Sequence, residues 1–208
     1  MAVINRKARD KQLRKADILK AAESVFASKG YHEATVQDIA KEAQYGTGTV
    51  YLYFKDKNAL YFSLLEEKIK SLIDAAKEKT EKIKDAKKKL EVFIRQSLFF
   101  FEENQNFFRI YTMEKSSLQL IVGKKTTESS RAVEHATEYV EKLIKIAQGR
   151  GVINKNYSPS ELADILTSII GSIVLNWTRT GLGSKKEGSL SDKADFIFEM
   201  FLNGVGKK

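Results

Sequence analysis

Residues 35–57, TVQDIAKEAQYGTGTVYLYFKDK, constrain this chain more than any other segment. They read as a short helix, a tight turn that contains glycine, and a second short helix. Thr35 and Asp38 have the spacing of a capping box, in which a hydroxyl and a carboxylate satisfy free amides of a first helical turn. With the turn over 44–48, the pattern predicts a helix-turn-helix. Such a unit places its second helix in the major groove of double-stranded DNA.

The second of these helices, predicted over about 47–54, has distinct inward and outward faces. Val50 and Phe54 are four residues apart and should face the core together. The side chains left to face outward are Thr47, Thr49, Tyr51 and Tyr53. An exposed Tyr–Leu–Tyr stretch usually marks a binding surface. The alternative for either tyrosine is packing in the core.

Composition narrows the class of protein. A chain of 208 residues can form one large domain or two small ones. A single proline and long patterns with a 3.6-residue period predict an all-α fold. The net charge of +9 suits a polyanionic partner. The absence of cysteine excludes disulfides and fits a reducing cytoplasm. We also expect no signal peptide, and no apolar run reaches the roughly 20 residues of a membrane span.

Further helices are predicted on both sides of this unit. Residues 1–11 look like a flexible basic arm, which could follow DNA phosphates or be only a solvated tail. A helix should then run from about Gln12 to Lys29, with Gly30 as a left-handed cap. Asp56 can cap a fourth helix that ends near Lys79.

The second half of the chain shows equally regular patterns. A helix is expected over about 86–103, and its Phe99–Phe101 triplet predicts burial on most sides. A bent helical stretch should follow over 105–122, and another helix over 126–148. Another helix should begin at Ser158 and Pro159, where a serine N-cap is followed by proline at the first helical position. The last helix should begin at Ser189 or Ser191.

Three groups of residues together resemble the TetR family of bacterial transcriptional repressors. They are Ile18–Ala22 with Phe26 and Lys29–Tyr31, then Ala34–Val36 with Asp38–Ala40 and Ala43, then Gly48–Lys57 with Leu60. This resemblance covers about residues 12–65. It implies a three-helix DNA-binding head over 12–56, after the arm over 1–11. It also implies a helical effector-binding and dimerisation domain over 57–208.

The resemblance assigns DNA contacts residue by residue. Thr47, Gly48 and Thr49 should approach base edges, and Tyr51 and Tyr53 should reach bases or phosphates. The remaining members of the DNA-binding set are Thr35, Gly46, Lys55 and Lys57. Among these, Thr35, Lys55 and Lys57 are expected to clamp the backbone. The family usually has glycine, an aliphatic residue and serine in the turn, whereas this chain has Gln44, Tyr45 and Gly46. A non-glycine residue in a left-handed turn position costs about 1 kcal/mol, and Gly46 caps without a side-chain oxygen.

The resemblance further implies a homodimer that binds a near-palindromic operator. Its interface would be a four-helix bundle built by the last two helices, about 160–180 and 191–204. The alternative is that the first of these helices lies in the interior of a monomer. A small hydrophobic effector would bind among the middle helices and release the DNA. The predicted effector-binding residues are Leu65, Ile69, Phe93, Phe100, Phe108, Tyr111, Tyr139 and Trp177. Ordinary core packing is the alternative for each.

An aromatic-rich cavity would suit a fatty acyl chain or a flat apolar drug. The segment Glu114–Ser117 resembles regulators of fatty-acid degradation within the family. For an acyl-CoA, the lysine-rich segment 77–89 or Lys124 and Lys125 could meet the phosphates; a solvated surface is the alternative.

Other functions find less support in the sequence. It has no glycine-rich phosphate loop and no nucleophile elbow, so we expect no catalytic residue, no cofactor and no enzyme. His32 and His135 are far apart in the chain, which disfavours a metal site. The remaining alternative is a helical protein that binds DNA or membrane surfaces non-specifically.

Overall fold

The protein is all-α, as predicted. A computed structural model describes residues 2–108, 110, 127–179 and 188–205. Its helices are α1 (Ala2–Glu33), α2 (Val36–Glu42), α3 (Thr47–Tyr53), α4 (Lys57–Thr80), α5 (Ala86–Glu103), α6 (Thr127–Gly149), α7 (Pro159–Arg179) and α8 (Ala194–Val205). A 3-10 turn, Leu190–Lys193, precedes α8, and residues 105–108 and 110 are also helical. The rest of the bent stretch predicted over 105–122 lies outside the described residues, as do Glu114–Ser117, Lys124 and Lys125.

The chain divides into two compact units. The first contains Met1–Lys68 and Asn106–Ser129, and the second contains Ile69–Gln105 and Ser130–Lys208. α1, α2 and α3 pack together in the first unit, around the fully buried side chains of Ile18, Ile39 and Val50. In the second unit α5 packs against α7, the 3-10 turn and α8.

The first helix is longer than predicted. It begins at Ala2 rather than near Gln12, so the segment predicted as a flexible arm is helical in the structure. Residues 2–11 contain neither glycine nor proline, so nothing in the backbone ends the helix there. Gly30 interrupts the far end of α1 with φ +78° and ψ 163°. This conformation is one that glycine tolerates, but it is not the left-handed cap predicted, because α1 continues to Glu33. The chain resumes one more helical turn before α2.

The prediction that α5 is buried on most sides is wrong. Its buried side chains form a single stripe that includes Leu90, Ile94 and Leu98. Phe99 is exposed, and its neighbours Phe100 and Phe101 are half-buried. Three consecutive residues spread over about 200° of a helix, whereas the elements that pack on α5 cover one side of it.

A carboxylate from α5 holds the start of the C-terminal helical segment. Ser189 caps the 3-10 turn, and the last helix begins at Ala194 rather than at the predicted Ser189 or Ser191. Glu102 accepts hydrogen bonds from the hydroxyls of Ser189 and Ser191, both at 2.8 Å, and from the amides of Leu190 and Ser191. Partial burial would raise the pKa of Glu102, but these hydrogen bonds outweigh it and lower the pKa.

Candidate nucleic-acid interface

The first helix of the helix-turn-helix starts with the predicted capping box. The amide of Asp38 donates to the Thr35 hydroxyl oxygen over 3.1 Å, and the Asp38 carboxylate accepts from the Thr35 amide, also over 3.1 Å. The Thr35 hydroxyl also donates to this carboxylate, at 2.8 Å, and Lys29 forms an ion pair with it at 2.7 Å. These hydrogen bonds and the ion pair fix the start of α2, whose first residue, Val36, is buried.

Gln44 makes the turn in the left-handed conformation. Its φ of +58° is the strained position predicted for a residue other than glycine. The amide of Tyr45 then donates to the carbonyl of Ala40, and its phenol donates to Asp17 of α1 over 3.0 Å. This hydrogen bond to Asp17 raises the pKa of Tyr45. Gly46 caps α3 through its backbone alone, as expected.

α3 turns most of its surface outward. Val50 is its one buried residue, and Phe54, the C-cap, is buried as well, so the predicted inward pair is confirmed. The side chain of Tyr51 is 50% exposed. Thr47, Thr49 and Tyr53 are half-buried.

Leu52 is a candidate that the sequence analysis did not select. It is 81% exposed, the highest value among the large apolar side chains that the structure describes as exposed. Gly48, one turn before it, has nothing within 4 Å of the position that a Cβ would take. The two form an open apolar surface on α3, which a backbone or base edge could approach closely.

Two of the predicted phosphate clamps have their donors engaged within the protein. Thr35 donates both its amide and its hydroxyl proton to Asp38, so neither is available to a phosphate. Lys57 donates to the carbonyl oxygens of Tyr31, His32 and Ala34. An ammonium has three protons, and these bonds use all of them. The sequence could not show this for Lys57, because its acceptors are backbone atoms, which leave no sequence pattern.

Positive charge does lie next to the exposed face of the head. Lys55 is exposed immediately after α3, as its predicted role requires. Along α1, exposed basic side chains are Arg6, Lys7, Arg9, Lys11, Arg14, Lys15 and Lys20. The ammonium of Lys15 also lies 5.8 Å from the ring centroid of Phe54, which places this part of α1 beside the end of α3.

Comparison with known proteins agrees with this geometry. The model of the TetR family of bacterial regulatory proteins matches residues 18–64, which include the whole helix-turn-helix. Residues 18–64 are therefore similar to the DNA-binding head of the TetR family. Exposed α3 is the second helix of this helix-turn-helix and lies within the matched segment.

The relatives and structural neighbours of the chain are transcriptional regulators, not enzymes. It is 33% identical over 111 residues to the fatty acid metabolism regulator protein of Bacillus subtilis, covering 53% of this chain and 57% of the relative. The chain spans about half the length of the curated relatives that it matches.

Two solved structures share the fold over most of the chain. The fatty acid degradation regulator FadR of Bacillus halodurans has a TM-score of 0.80 at 21% identity, over 91% of this chain and 94% of that one. FadR of Bacillus subtilis, in complex with stearoyl-CoA, also has a TM-score of 0.80, at 23% identity, over 91% and 98%. At these identities the likeness concerns the fold.

The predicted effector-binding residues lie in both units. Leu65 and Phe108 are buried in the first unit, and Phe93 and Trp177 are buried in the second. Ile69, Phe100 and Tyr139 are half-buried, and Tyr111 lies outside the described residues. Of this set, the structure shows direct contact between Phe93 and Tyr139.

Tyr139 combines that apolar contact with a polar one. Its ring meets Phe93 edge-on at a centroid distance of 6.1 Å. Its hydroxyl lies 2.6 Å from the hydroxyl of buried Thr80, which donates its own proton to the Ala76 carbonyl. Tyr139 is therefore the donor to Thr80. Burial raises the pKa of Tyr139, which keeps this proton in place.

Within the described residues, no helix is both long and apolar enough to cross a bilayer. The same residues hold no cluster of three or more potential metal-ligating side chains.

Proposed function

We propose that the protein is a ligand-responsive transcriptional repressor that acts in the cytoplasm as a homodimer. The observation that carries this proposal is the recognition helix. α3 buries Val50 alone and presents Tyr51, Leu52 and the open backbone of Gly48. An isolated protein gains nothing from exposing these apolar groups in one place.

In this proposal α3 enters the major groove with its N-terminus leading. Thr47, Gly48 and Thr49 approach base edges, with Gly46 at the cap. Tyr51 and Tyr53 reach bases or phosphates, and Lys55 meets the backbone. The exposed basic residues of α1 add sequence-independent attraction to phosphates. Thr35 and Lys57 are left out of this set, because their donors are engaged within the protein.

An open apolar groove on α7 and α8 supports dimerisation through the last two helices. The groove has a volume of about 500 Å³, and exposed Ile165, Phe196 and Met200 help to line it. A second copy of the same surface would cover these side chains in an isologous, four-helix interface. Two heads related by a twofold axis would then read a near-palindrome with half-sites roughly 34–36 Å apart.

A fatty acyl-CoA is the effector that we favour, over a flat apolar drug. The structural neighbour from Bacillus subtilis holds stearoyl-CoA, and a related regulator of that organism is named for fatty acid metabolism. In this chain Phe93 and Tyr139 offer an aromatic surface beside Thr80. The exposed lysines between Lys77 and Lys88 would attract the phosphates of CoA.

Selection of genomic fragments with the purified protein, followed by footprinting, tests the proposal. A recurring palindrome is the expected result, and equal binding of random duplexes would favour the non-specific alternative. Stearoyl-CoA should then release the operator at concentrations where free CoA does not. If neither stearoyl-CoA nor shorter acyl-CoAs release the operator, the effector assignment is wrong. The proposal of a DNA-binding repressor would be unaffected.

A further inference from the structure

Lys57 occupies a site that the fold has built from backbone carbonyls. Its ammonium nitrogen lies 2.7 Å from the carbonyl oxygen of Tyr31, 2.9 Å from that of His32 and 2.8 Å from that of Ala34. It also lies 4.6 Å from the ring centroid of Tyr31. Carbonyls at the end of a helix lack partners within the helix and carry its negative dipole end, so a cation is well suited to them.

The contact joins two segments of the chain that lie on either side of the helix-turn-helix. Tyr31 and His32 lie in the last turn of α1, and Ala34 lies between that helix and Thr35, the N-cap of α2. Lys57 is the first residue of α4 and follows shortly after Phe54, the C-cap of α3. One side chain therefore joins the entrance of the helix-turn-helix to its exit.

We propose that Lys57 is a positioning residue that sets the orientation of the recognition helix and makes no contact with DNA. This inference rests on the proposed function, because it concerns how sequence-specific binding is achieved. A phosphate could recruit Lys57 only by breaking its bonds to three carbonyls. Those bonds hold the connection from which α2, and through it α3, is oriented.

Neighbouring contacts support the same junction. The phenol of Tyr31 donates to the side-chain oxygen of Asn58, the residue after Lys57. The Tyr31 ring also meets Tyr61 of α4 at a centroid distance of 5.3 Å and Phe26 of α1 at 5.6 Å. The first turns of α4 thus hold Tyr31 through its hydroxyl, its ring and its carbonyl.

The decisive variant is Lys57→Arg, which keeps the charge. A guanidinium serves a phosphate at least as well as an ammonium does. It cannot replace this ammonium, because a terminal guanidinium nitrogen has two protons whereas three carbonyls converge on one point. Lys57→Gln removes the charge as well. Lys55→Gln is the matched control, since Lys55 is the exposed lysine on the same connection.

Affinity for the operator and for a random duplex is measured over a series of salt concentrations, at a temperature where circular dichroism shows every variant folded. Lys57→Arg should lower operator affinity at least about tenfold, the effect of disturbing one base-pair contact or more. It should leave random-duplex affinity within about twofold. Lys55→Gln should weaken both duplexes equally and reduce the log–log salt slope by about 0.9 per lost contact.

Two results would overturn the proposal. If Lys57→Arg retains operator affinity while Lys57→Gln weakens both duplexes and reduces the salt slope, Lys57 is a phosphate contact. If both variants bind like the wild type and only melt earlier, its role is confined to stability.

A spectroscopic measurement separates these failures from failure of the proposed function. In the free Lys57→Arg protein, amide resonances of residues 47–53 should shift along with those of 31–34 and 57. Unchanged resonances over 47–53 would overturn the positioning role. A wild type that binds operator and random DNA equally would instead sink the repressor proposal, while the resonances still decide the role of Lys57.

Discussion

The carboxylate of Asp38 lies 2.7 Å from the ammonium of Lys29 while it receives both donors of Thr35. The helix-turn-helix thus begins with one carboxylate that links the end of α1 to the first turn of α2. The hydrogen bond from Lys29, followed by those from the Thr35 side chain and amide, lowers the pKa of Asp38 from 3.8 to about 2.

This pKa predicts how acid affects the head. Because the pKa is lower in the folded state, ionised Asp38 stabilises the fold above about pH 4, and this contribution is lost as the pH falls toward 2. Asp38→Asn should therefore melt at a lower temperature at pH 7 and lose less stability than the wild type between pH 4 and pH 2. Thermal melts at several pH values measure both effects, with exposed Asp74→Asn as the control. Parallel stability curves for wild type and Asp38→Asn would contradict the assignment.

Removing the phenol of Tyr51 should strongly weaken operator binding. The side chain is exposed on α3, so Tyr51→Ala should fold and dimerise normally. Two copies per dimer at about 1–3 kcal/mol each predict a loss of about 30-fold or more in affinity. Tyr157→Ala is the matched control, because Tyr157 is about equally exposed in the other unit. Electrophoretic mobility shift titrations measure the loss, and intact binding would show that α3 does not read the operator.

Gly48→Ala should separate stability from binding. A Cβ at this position meets no atom within 4 Å, and alanine favours a helix by up to about 1 kcal/mol over glycine. The variant should therefore melt at the same or a higher temperature yet bind the operator more weakly, since the methyl group would keep DNA away from the backbone. Differential scanning calorimetry and affinity titration provide the two readouts. Wild-type affinity would mean that DNA does not approach Gly48 closely.

Leu52 should read a thymine methyl group. Its exposed isobutyl group suits that contact. Replacing single thymines of the operator by uracil removes one methyl at a time, and one position per half-site should weaken wild-type binding. Leu52→Ala should remove the sensitivity to uracil at that position and leave the sensitivity elsewhere. If uracil at that position weakened binding of Leu52→Ala as much as binding of the wild type, another side chain would contact the thymine methyl.

The groove on α7 and α8 should be the dimer interface. Phe196→Glu places a charge among Ile165, Ile169 and Met200, where a partner would otherwise bury an apolar ring. Sedimentation velocity should show a monomer, and operator affinity should fall because the two heads are no longer linked. Phe99→Glu is the control, since Phe99 is exposed on α5 outside the groove. A dimeric Phe196→Glu protein would place the interface elsewhere.

The helix-turn-helix could be predicted because its determinants are local. The capping box depends on the spacing of Thr35 and Asp38, and the inward face of α3 depends on the spacing of Val50 and Phe54. Both predictions are confirmed. The left-handed turn at Gln44 was implied by the family resemblance, since the family usually has glycine at the start of this turn.

Features that depend on distant partners could not be predicted. The triplet at Phe99 suggested burial. Which side of α5 is covered, however, depends on α7, the 3-10 turn and α8, which come much later in the chain. The carboxylate of Glu102 meets Ser189 and Ser191 for the same reason, with no signal in either segment. Lys57 looked like a surface cation because its carbonyl partners carry no side-chain signature. The start of α1 was missed because residues 2–11 were judged by their basic charge, whereas neither glycine nor proline interrupts the helix there.

The single buried residue of α3 has an evolutionary consequence. Val50 is the one buried residue within this helix, so substitutions at its exposed positions Gly48, Tyr51 and Leu52 meet few folding constraints. Mutational drift can therefore explore new operators without passing through unfolded intermediates. Gene duplication could give daughter regulators that keep the same scaffold and diverge in the DNA they recognise.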